Sequence, residues 1–207
     1  MKKLISIFLT VIILIMSVFS VSASAQEQTR TEKWIESDSK NEIEFTASYE
    51  VGLNKTEFHA HLKNGKLGIT LYVPLSEFFS VKIKMIYDGE YLYVYSPVFP
   101  FVHFKSPADE ITDILTSYDD YPIQGLDFVG SYEEKDIFST LYVEEFRNEN
   151  DEFAKYYFNG DILRKIETCY FDENGNQVRG FVNIKSYNVS DKELRVPWYS
   201  FCFSTAI

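Results

Sequence analysis

Four two-residue turn signals divide the chain and constrain its fold more than any other feature. They are Asn64-Gly65, Asp88-Gly89, Asn159-Gly160 and Asn174-Gly175. Each lies between runs of β-branched and aromatic residues, where Asn-Gly and Asp-Gly are the strongest short-range signals for a hairpin because both residues tolerate positive φ. The sequence therefore predicts several antiparallel hairpins.

The segments beside these turns alternate between apolar and polar residues. Between positions 42 and 51 every odd-numbered residue is apolar and every even-numbered residue is polar, which is the pattern of a strand with one buried face. The strands after residue 140 are less cleanly divided, and they place apolar residues on both faces. This indicates that something covers part of the outer face of the sheet.

A central helix is predicted over residues 106–118. Ser106 is a suitable N-cap and Pro107 suits the first helical position. Apolar residues then recur at helical spacing. Those expected to form its buried stripe and to act as a lid are Ile111, Ile114 and Leu115.

A second, shorter helix is predicted over residues 31–36, and it presents Trp34 and Ile35. With many strands and few helices, the expected fold is mainly β (α+β). It is a single strongly curved antiparallel sheet or incomplete β-barrel, closed by one or two short helices. No repeat or Pro-rich linker divides residues 26–207, so we expect one domain there.

Residues 1–25 have the features of a secretory signal peptide. Lys2 and Lys3 precede an apolar stretch over residues 4–21, and Ala23-Ser24-Ala25 supplies the small-residue cleavage pattern before Gln26. We therefore expect a secreted or extracytoplasmic protein. An uncleaved N-terminal anchor is the disfavoured alternative, because about 18 apolar residues barely span a bilayer. No Cys follows the leader to accept a lipid.

Composition and motifs exclude several function classes. The chain has 20 Lys and Arg against 31 Asp and Glu, a net charge of −11, which disfavours binding to nucleic acid. It contains no nucleophile elbow, Walker loop, zinc-protease helix or dinucleotide fingerprint. We therefore predict a protein that is not an enzyme and needs no cofactor.

One weak candidate for a metal site remains. Glu57, His59 and His61 alternate along a predicted strand, so they share one face and could present a carboxylate and two imidazoles to zinc. A metal-dependent hydrolase would use them in this way. The favoured interpretation is that they form the polar face of an amphipathic strand.

The two cysteines, Cys169 and Cys202, lie in predicted strands near the C-terminus. In an oxidising compartment they could form a disulfide, and the alternative is a buried, unreactive thiol. Their spacing does not resemble a redox motif or a zinc knuckle.

Several segments resemble the lipoprotein-localisation carrier (LolA-like) family of the bacterial envelope and its glycolipid-carrier relatives. The segments are YDGEYLYVYSP at 87–97, FNGDILRKI at 158–166, DENGN at 172–176 and FVNI at 181–184, in the family's order. The resemblance implies an incomplete β-barrel with helices as a lid over an apolar cavity that receives acyl chains. The helix over residues 106–118 would correspond to the lid.

We therefore predict a non-enzymatic extracytoplasmic protein that binds a lipid or another apolar ligand, with transient contact to a membrane or an envelope protein. The alternative is a secreted β-rich interaction module whose core is filled and binds no small molecule. Apolar side chains on the predicted inner strands are the candidates for lining the cavity. They are Phe45, Tyr49, Phe58, Leu71, Ile83 and Met85.

Overall fold

The computed structural model describes residues 28–37, 41–52, 54–76, 79–98, 102–107, 126–135, 139–172, 174–196 and 201–204. Twelve strands in these ranges form one sheet. Strands β1 to β11 pair antiparallel with their neighbours, whereas β12 pairs parallel with β6. The sheet is open, with β12 at one edge and β7 at the other. The predicted mainly β fold is confirmed.

The strand order across the sheet is β12-β6-β5-β4-β3-β2-β1-β11-β10-β9-β8-β7. Among the described residues, the α-helix α1 (Arg30–Glu36) precedes the strands, and a 3-10 turn spans Asp191–Leu194. The strands are β1 (Glu42–Val51), β2 (Asn54–Lys63), β3 (Lys66–Ser76), β4 (Phe79–Tyr87), β5 (Tyr91–Tyr95), β6 (Val102–Pro107), β7 (Asp127–Lys135), β8 (Thr140–Arg147), β9 (Phe153–Asn159), β10 (Ile162–Phe171), β11 (Gln177–Ser186) and β12 (Phe201–Ser204).

All four predicted turns connect consecutive antiparallel strands. The tightest joins β2 to β3, where Asn64 and Gly65 have φ of 50° and 75°. Positive φ at both positions is the requirement that favours Asn-Gly there. The other three turns join β4 to β5, β9 to β10 and β10 to β11.

One face of the sheet, here called the inner face, carries the main apolar core. Strand pairing places inward residues of adjacent strands in rows, because side chains alternate between faces along each strand. Phe45, for example, lies opposite Ala60 on β2 and Ile184 on β11. The buried core comprises Trp34, Ile43, Phe45, Ala47, Phe58, Ala60, Ile69, Leu71, Met85, Leu126, Phe146, Ala154, Tyr156, Phe158, Leu163, Ile166, Val182 and Ile184.

Helix α1 confirms the shorter predicted helix and begins one residue earlier than expected. Thr29 is its N-cap, and its hydroxyl accepts a hydrogen bond from the backbone N–H of Glu32 at 3.1 Å. The Glu32 carboxylate in turn accepts from the backbone N–H of Thr29 at 2.7 Å. This reciprocal capping box satisfies two backbone donors and defines where the helix begins.

The opposite, outer face is covered in part by residues 188–196, here called the C-terminal strap. The backbone N–H of Val189 donates to Glu42 on β1 at 2.9 Å, and Lys63 on β2 donates to the Val189 carbonyl at 3.0 Å. Farther along, Glu193 pairs with Lys84 on β4 at 3.1 Å. The strap therefore spans β1 to β4, whereas the sequence predicts an outer cover over the less cleanly divided strands after residue 140.

The strap also explains a glycine inside a strand. A Cβ atom added to Gly68 on β3 would lie 3.1 Å from the Glu193 carbonyl oxygen and 3.1 Å from a Leu194 methyl group. Such contacts are closer than side chains normally accept, so the strap packs onto the backbone of β3 where no side chain intervenes.

The predicted central helix does not begin where the sequence indicates. Ser106 and Pro107 are the last residues of β6, and Pro107 pairs with Tyr91 on β5. Within the described residues, β12 pairs with residues 102–105 of β6, which lie before Pro107. Ile111, Ile114 and Leu115 lie outside the described residues, as does the predicted signal peptide. Among the described helices, none has the length and hydropathy to cross a membrane.

Candidate functional site

The structure brings most of the predicted cavity-lining residues together in the core of the inner face. Phe45, Phe58, Leu71 and Met85 belong to one buried cluster, and Ile83 packs against it. Tyr49 is half-buried on the same face of β1. The four cluster members expose 3% or less of their surface. Because neighbouring atoms already contact them on nearly every side, a ligand that reaches them has to displace what covers them.

Helix α1 is the described helix that packs on the inner face. Its apolar contribution is small: Trp34 is buried in the core cluster and Ile35 packs against it. Thr31 is fully buried as well, but it is polar. The attachment of this helix therefore depends on polar contacts as well as on hydrophobic burial.

The main polar contact comes from Glu144, an inward-facing residue of β8 that is only 2% exposed. Its carboxylate accepts hydrogen bonds from the backbone N–H groups of Arg30 and Thr31, both at 2.8 Å, and from the Thr31 hydroxyl at 2.7 Å. The first N–H groups of a helix have no partner inside the helix and carry partial positive charge. A buried carboxylate is thus compensated by the helix that it binds.

Arg30 adds two further contacts at the same end of the helix. Its guanidinium lies 4.0 Å from the centre of the Tyr142 ring on β8. It also donates to the Gly160 carbonyl, in the turn between β9 and β10, at 2.5 Å. The N-terminus of α1 is therefore fixed to two neighbouring parts of the sheet.

The next inward-facing row lies one step farther from the turn between β9 and β10. On β9, β10 and β11 this row consists of small residues. Thr168 on β10 lies opposite Ala154 on β9 and Gly180 on β11. The row continues to Phe146 on β8 and Tyr49 on β1. We call Ala154, Thr168 and Gly180 the small-residue strip.

The strip contains a polar atom without a partner. Thr168 is 4% exposed, and among the described residues its hydroxyl has no hydrogen-bond partner. An unpaired buried hydroxyl is destabilising by about 1–3 kcal/mol, and most buried polar groups in proteins avoid this. Glu144 and Thr168 are therefore two buried polar groups on the same face. The Glu144 carboxylate has hydrogen-bond partners, and among the described residues the Thr168 hydroxyl has none.

The three candidate metal ligands lie on the outer face of β2 but do not form a site. His59 contacts the Thr46 hydroxyl through Nδ1 at 3.2 Å, while Glu57 is exposed. His61 is buried, with Nε2 3.9 Å from Glu193 of the strap. Within the described residues, no three His, Cys, Asp or Glu side chains are grouped to hold a metal ion.

Burial also sets the protonation of His61. Loss of solvent lowers its pKa below the usual value, and the nearby Glu193 and Glu44 carboxylates oppose this shift. Its Nδ1 atom is buried, with no hydrogen-bond partner in the described ranges. His61 is thus a component of the contact between strap and sheet.

Cys169 is a free, buried thiol on β10. Cys202 lies on β12, and seven strands separate β12 from β10 in the sheet. The disulfide between these residues that the sequence allows is therefore not formed in the structure. Burial raises the pKa of the Cys169 thiol, which disfavours the reactive thiolate.

Sequence patterns did not identify Glu144 or Thr168. Glu144 stands beside Glu145 in a strand without clean alternation, so nothing local distinguishes the buried acid from the outward one. Thr168 is a common strand residue, and its importance follows only from the small neighbours on β9 and β11. Both require the strand register.

Comparisons with known proteins give only distant similarities. No family model matches the chain, and no curated protein matches it. An uncharacterized conserved protein from Thermus thermophilus is similar over 79% of this chain and 91% of its own, with 13% identity and a TM-score of 0.44.

Two further solved structures are similar at lower scores. MucB, solved in complex with MucA(peri), has 11% identity and a TM-score of 0.38 over 78% of this chain, which spans 57% of the MucB chain. A DUF1329 family protein from Desulfovibrio piger has 10% identity and a TM-score of 0.23, covering 74% of this chain and 88% of that one. At these scores the similarities carry no argument about function.

Proposed function

We propose that this protein is an extracytoplasmic, non-enzymatic binding protein that holds an acyl chain or similar apolar ligand on the inner face of its sheet, with α1 as a displaceable cover. One observation carries the proposal. A seven-residue helix with only two apolar contact residues, Trp34 and Ile35, lies over an extensive apolar face.

The apolar contacts of this helix are weak enough for a ligand to replace, although its hydrogen bonds to Glu144 also have to break. A helix of this length is not stable alone in water, so its docking depends on the sheet. Burial of Trp34 and Ile35 contributes on the order of 5 kcal/mol by area. At about 0.8 kcal/mol per methylene, six methylenes of an acyl chain would offset that contribution. A common membrane lipid has more than enough chain to replace both side chains.

The source of the ligand sets how strongly it should bind. A ligand that leaves a bilayer leaves surroundings as apolar as the inner face, so hydrophobic transfer contributes little net free energy. Modest changes in how α1 packs could then decide between loading and release. The signal peptide expected at residues 1–25 and the net charge of −11 fit a protein that meets envelope lipid without adsorbing to anionic headgroups.

Native mass spectrometry of the mature protein, purified from its own host, tests the proposal. Organic extraction and lipid analysis of the same sample identify any bound molecule. We expect a stoichiometric additional mass that extraction releases as an acylated lipid. An unliganded mass that persists after incubation with vesicles of zwitterionic phosphatidylcholine contradicts the proposal.

A second candidate is a secreted interaction module with a filled core. This candidate is supported by the near-complete burial of Phe45, Phe58 and Met85, because side chains around an open cavity keep accessible surface. Exposed apolar side chains on the edge strand β7, at Phe128 and Val129, would offer a contact surface. A persistently unliganded mass, together with protein cross-links formed in the host from position 129, would favour this candidate.

A further inference from the structure

The small-residue strip interrupts the larger inward-facing side chains of strands β9, β10 and β11. The row nearer the β9–β10 turn carries Tyr156, Ile166 and Val182 on the same three strands. At strand spacings of about 4.8 Å, the strip from β9 to β11 is about 10 Å wide. Ala154 is fully buried and Thr168 and Gly180 are buried too, so a ligand reaches the strip only by displacing what covers it.

The unpaired hydroxyl of Thr168 lies at the middle of this strip. Valine has nearly the same shape, favours strands equally and would leave no polar atom unpaired. Threonine at this buried position is therefore unfavourable for the unliganded fold. A ligand that supplies the missing hydrogen-bond partner would remove the penalty.

The surroundings define which ligand group fits. The other residues of the row are Ala154, Gly180, Phe146 and Tyr49, and none of them is charged. One neutral hydroxyl cannot compensate for the desolvation of a carboxylate or a phosphate. The partner should be neutral and able to accept a hydrogen bond, which describes the carbonyl oxygen of an ester or an amide.

We infer that the small-residue strip binds the neutral linkage of an acyl lipid. The Thr168 hydroxyl donates to the ester or amide carbonyl, and the adjoining part of the ligand lies over Ala154 and Gly180. This inference rests on the proposed function and specifies the ligand class and the residue that recognises it.

Two probes of similar size test this assignment. Methyl laurate carries an ester, whereas pentadecane has the same number of non-hydrogen atoms and no polar group. The affinities of delipidated mature protein for both are measured by calorimetric titration, and the ratio between them is the readout. Thr168→Val should reduce the preference for the ester about three- to tenfold, the value of one neutral hydrogen bond, and leave pentadecane affinity unchanged.

Two variants serve as controls, and circular dichroism establishes that each is folded. Thr168→Ser keeps the hydroxyl and should keep the ratio. Thr70→Val makes the same change at a buried threonine on the outer face of β3 and should also leave the ratio unaltered. If wild type binds both probes and Thr168→Val keeps the ratio, the assignment of Thr168 is wrong while the proposed function stands. If wild type binds neither probe, both are wrong.

Discussion

Glu144 and Thr168 are both almost inaccessible to solvent, but they differ in hydrogen bonding. Both face inward, on strands β8 and β10, with 2% and 4% exposure. The carboxylate of Glu144 receives three hydrogen bonds from α1. In the part of the chain that the structure describes, the hydroxyl of Thr168 has no hydrogen-bond partner.

The difference separates a structural role from a binding role on one apolar face. A buried charge is tolerated only when its hydrogen bonds are made, so Glu144 belongs to the contact that keeps α1 in place. A buried hydroxyl without a hydrogen-bond partner lowers the stability of the fold and makes no stabilising contact. We therefore expect Thr168 to act on a ligand. The following predictions test this division.

Glu144→Ala should produce the largest effect. It removes three charge-assisted hydrogen bonds and leaves the first N–H groups of α1 without an acceptor, so we expect a loss of about 3–5 kcal/mol in the free energy of unfolding. Chemical denaturation monitored by circular dichroism measures it. Glu145→Ala is the matched control, because that neighbouring acid faces outward and pairs with Arg147 and Lys155; it should lose about 1 kcal/mol or less. Equal losses in the two variants would contradict the assigned role of Glu144.

A double-mutant cycle between Glu144→Ala and Trp34→Ala tests whether α1 detaches as a unit. Trp34→Ala alone should also cost about 3 kcal/mol, because it empties a large buried site. If either change already releases the helix, the second change removes little more, and the coupling energy should reach about 2 kcal/mol. Additive losses would mean that the helix stays docked, and α1 would then not act as a displaceable cover.

The contrast between these residues also shows what the sequence could and could not predict. Turns such as Asn64-Gly65 and the alternation of residues 42–51 are local signals, and they correctly predicted the hairpins and the inner face. The short helix was predictable for the same reason, because its start is defined by residues 29–32. Local signals misplaced the start of the central helix, where pairing with β5 keeps Ser106 and Pro107 in β6.

Features that depend on distant pairing were not predictable. Glu144 is separated from Thr31 by 113 residues, and the row that contains Thr168 joins strands from different parts of the chain. The crossing of the C-terminal strap over β1 to β4 likewise follows from where β11 ends and where β12 pairs. Register and topology therefore had to be known before either buried polar group could be given a role.

On the outer face of the sheet, we expect a smaller, pH-dependent change in stability. This change should be independent of α1. Burial holds the pKa of His61 below its usual 6.5, so the folded state binds fewer protons than the unfolded state as the pH falls through 6.5. Stability should therefore fall between pH 7 and pH 5, and the slope should be shallower in His61→Gln. Glu193, Glu44, Lys84 and His59 surround this imidazole, and the hydrogen bond from Lys84 holds the pKa of the Glu193 carboxyl below its usual range.

Denaturation of both proteins at a series of pH values measures this dependence. The Glu144→Ala variant is the useful comparison, because its pH slope should match that of wild type if the strap and α1 are separate covers. A slope that disappears in Glu144→Ala would show that the two faces are coupled.

The smallest predicted effect is a gain in stability, whereas the other changes lower it. Thr168→Val replaces an unpaired hydroxyl by a methyl group of similar size, so unliganded protein should gain a few tenths to about 1 kcal/mol of stability. Thermal unfolding of delipidated protein measures the gain, and Thr168→Ser should not reproduce it. A loss of stability in Thr168→Val would show that the hydroxyl has a partner within the fold, and the contrast with Glu144 would disappear. A gain, together with reduced ester preference, is the trade between stability and activity expected of a binding residue.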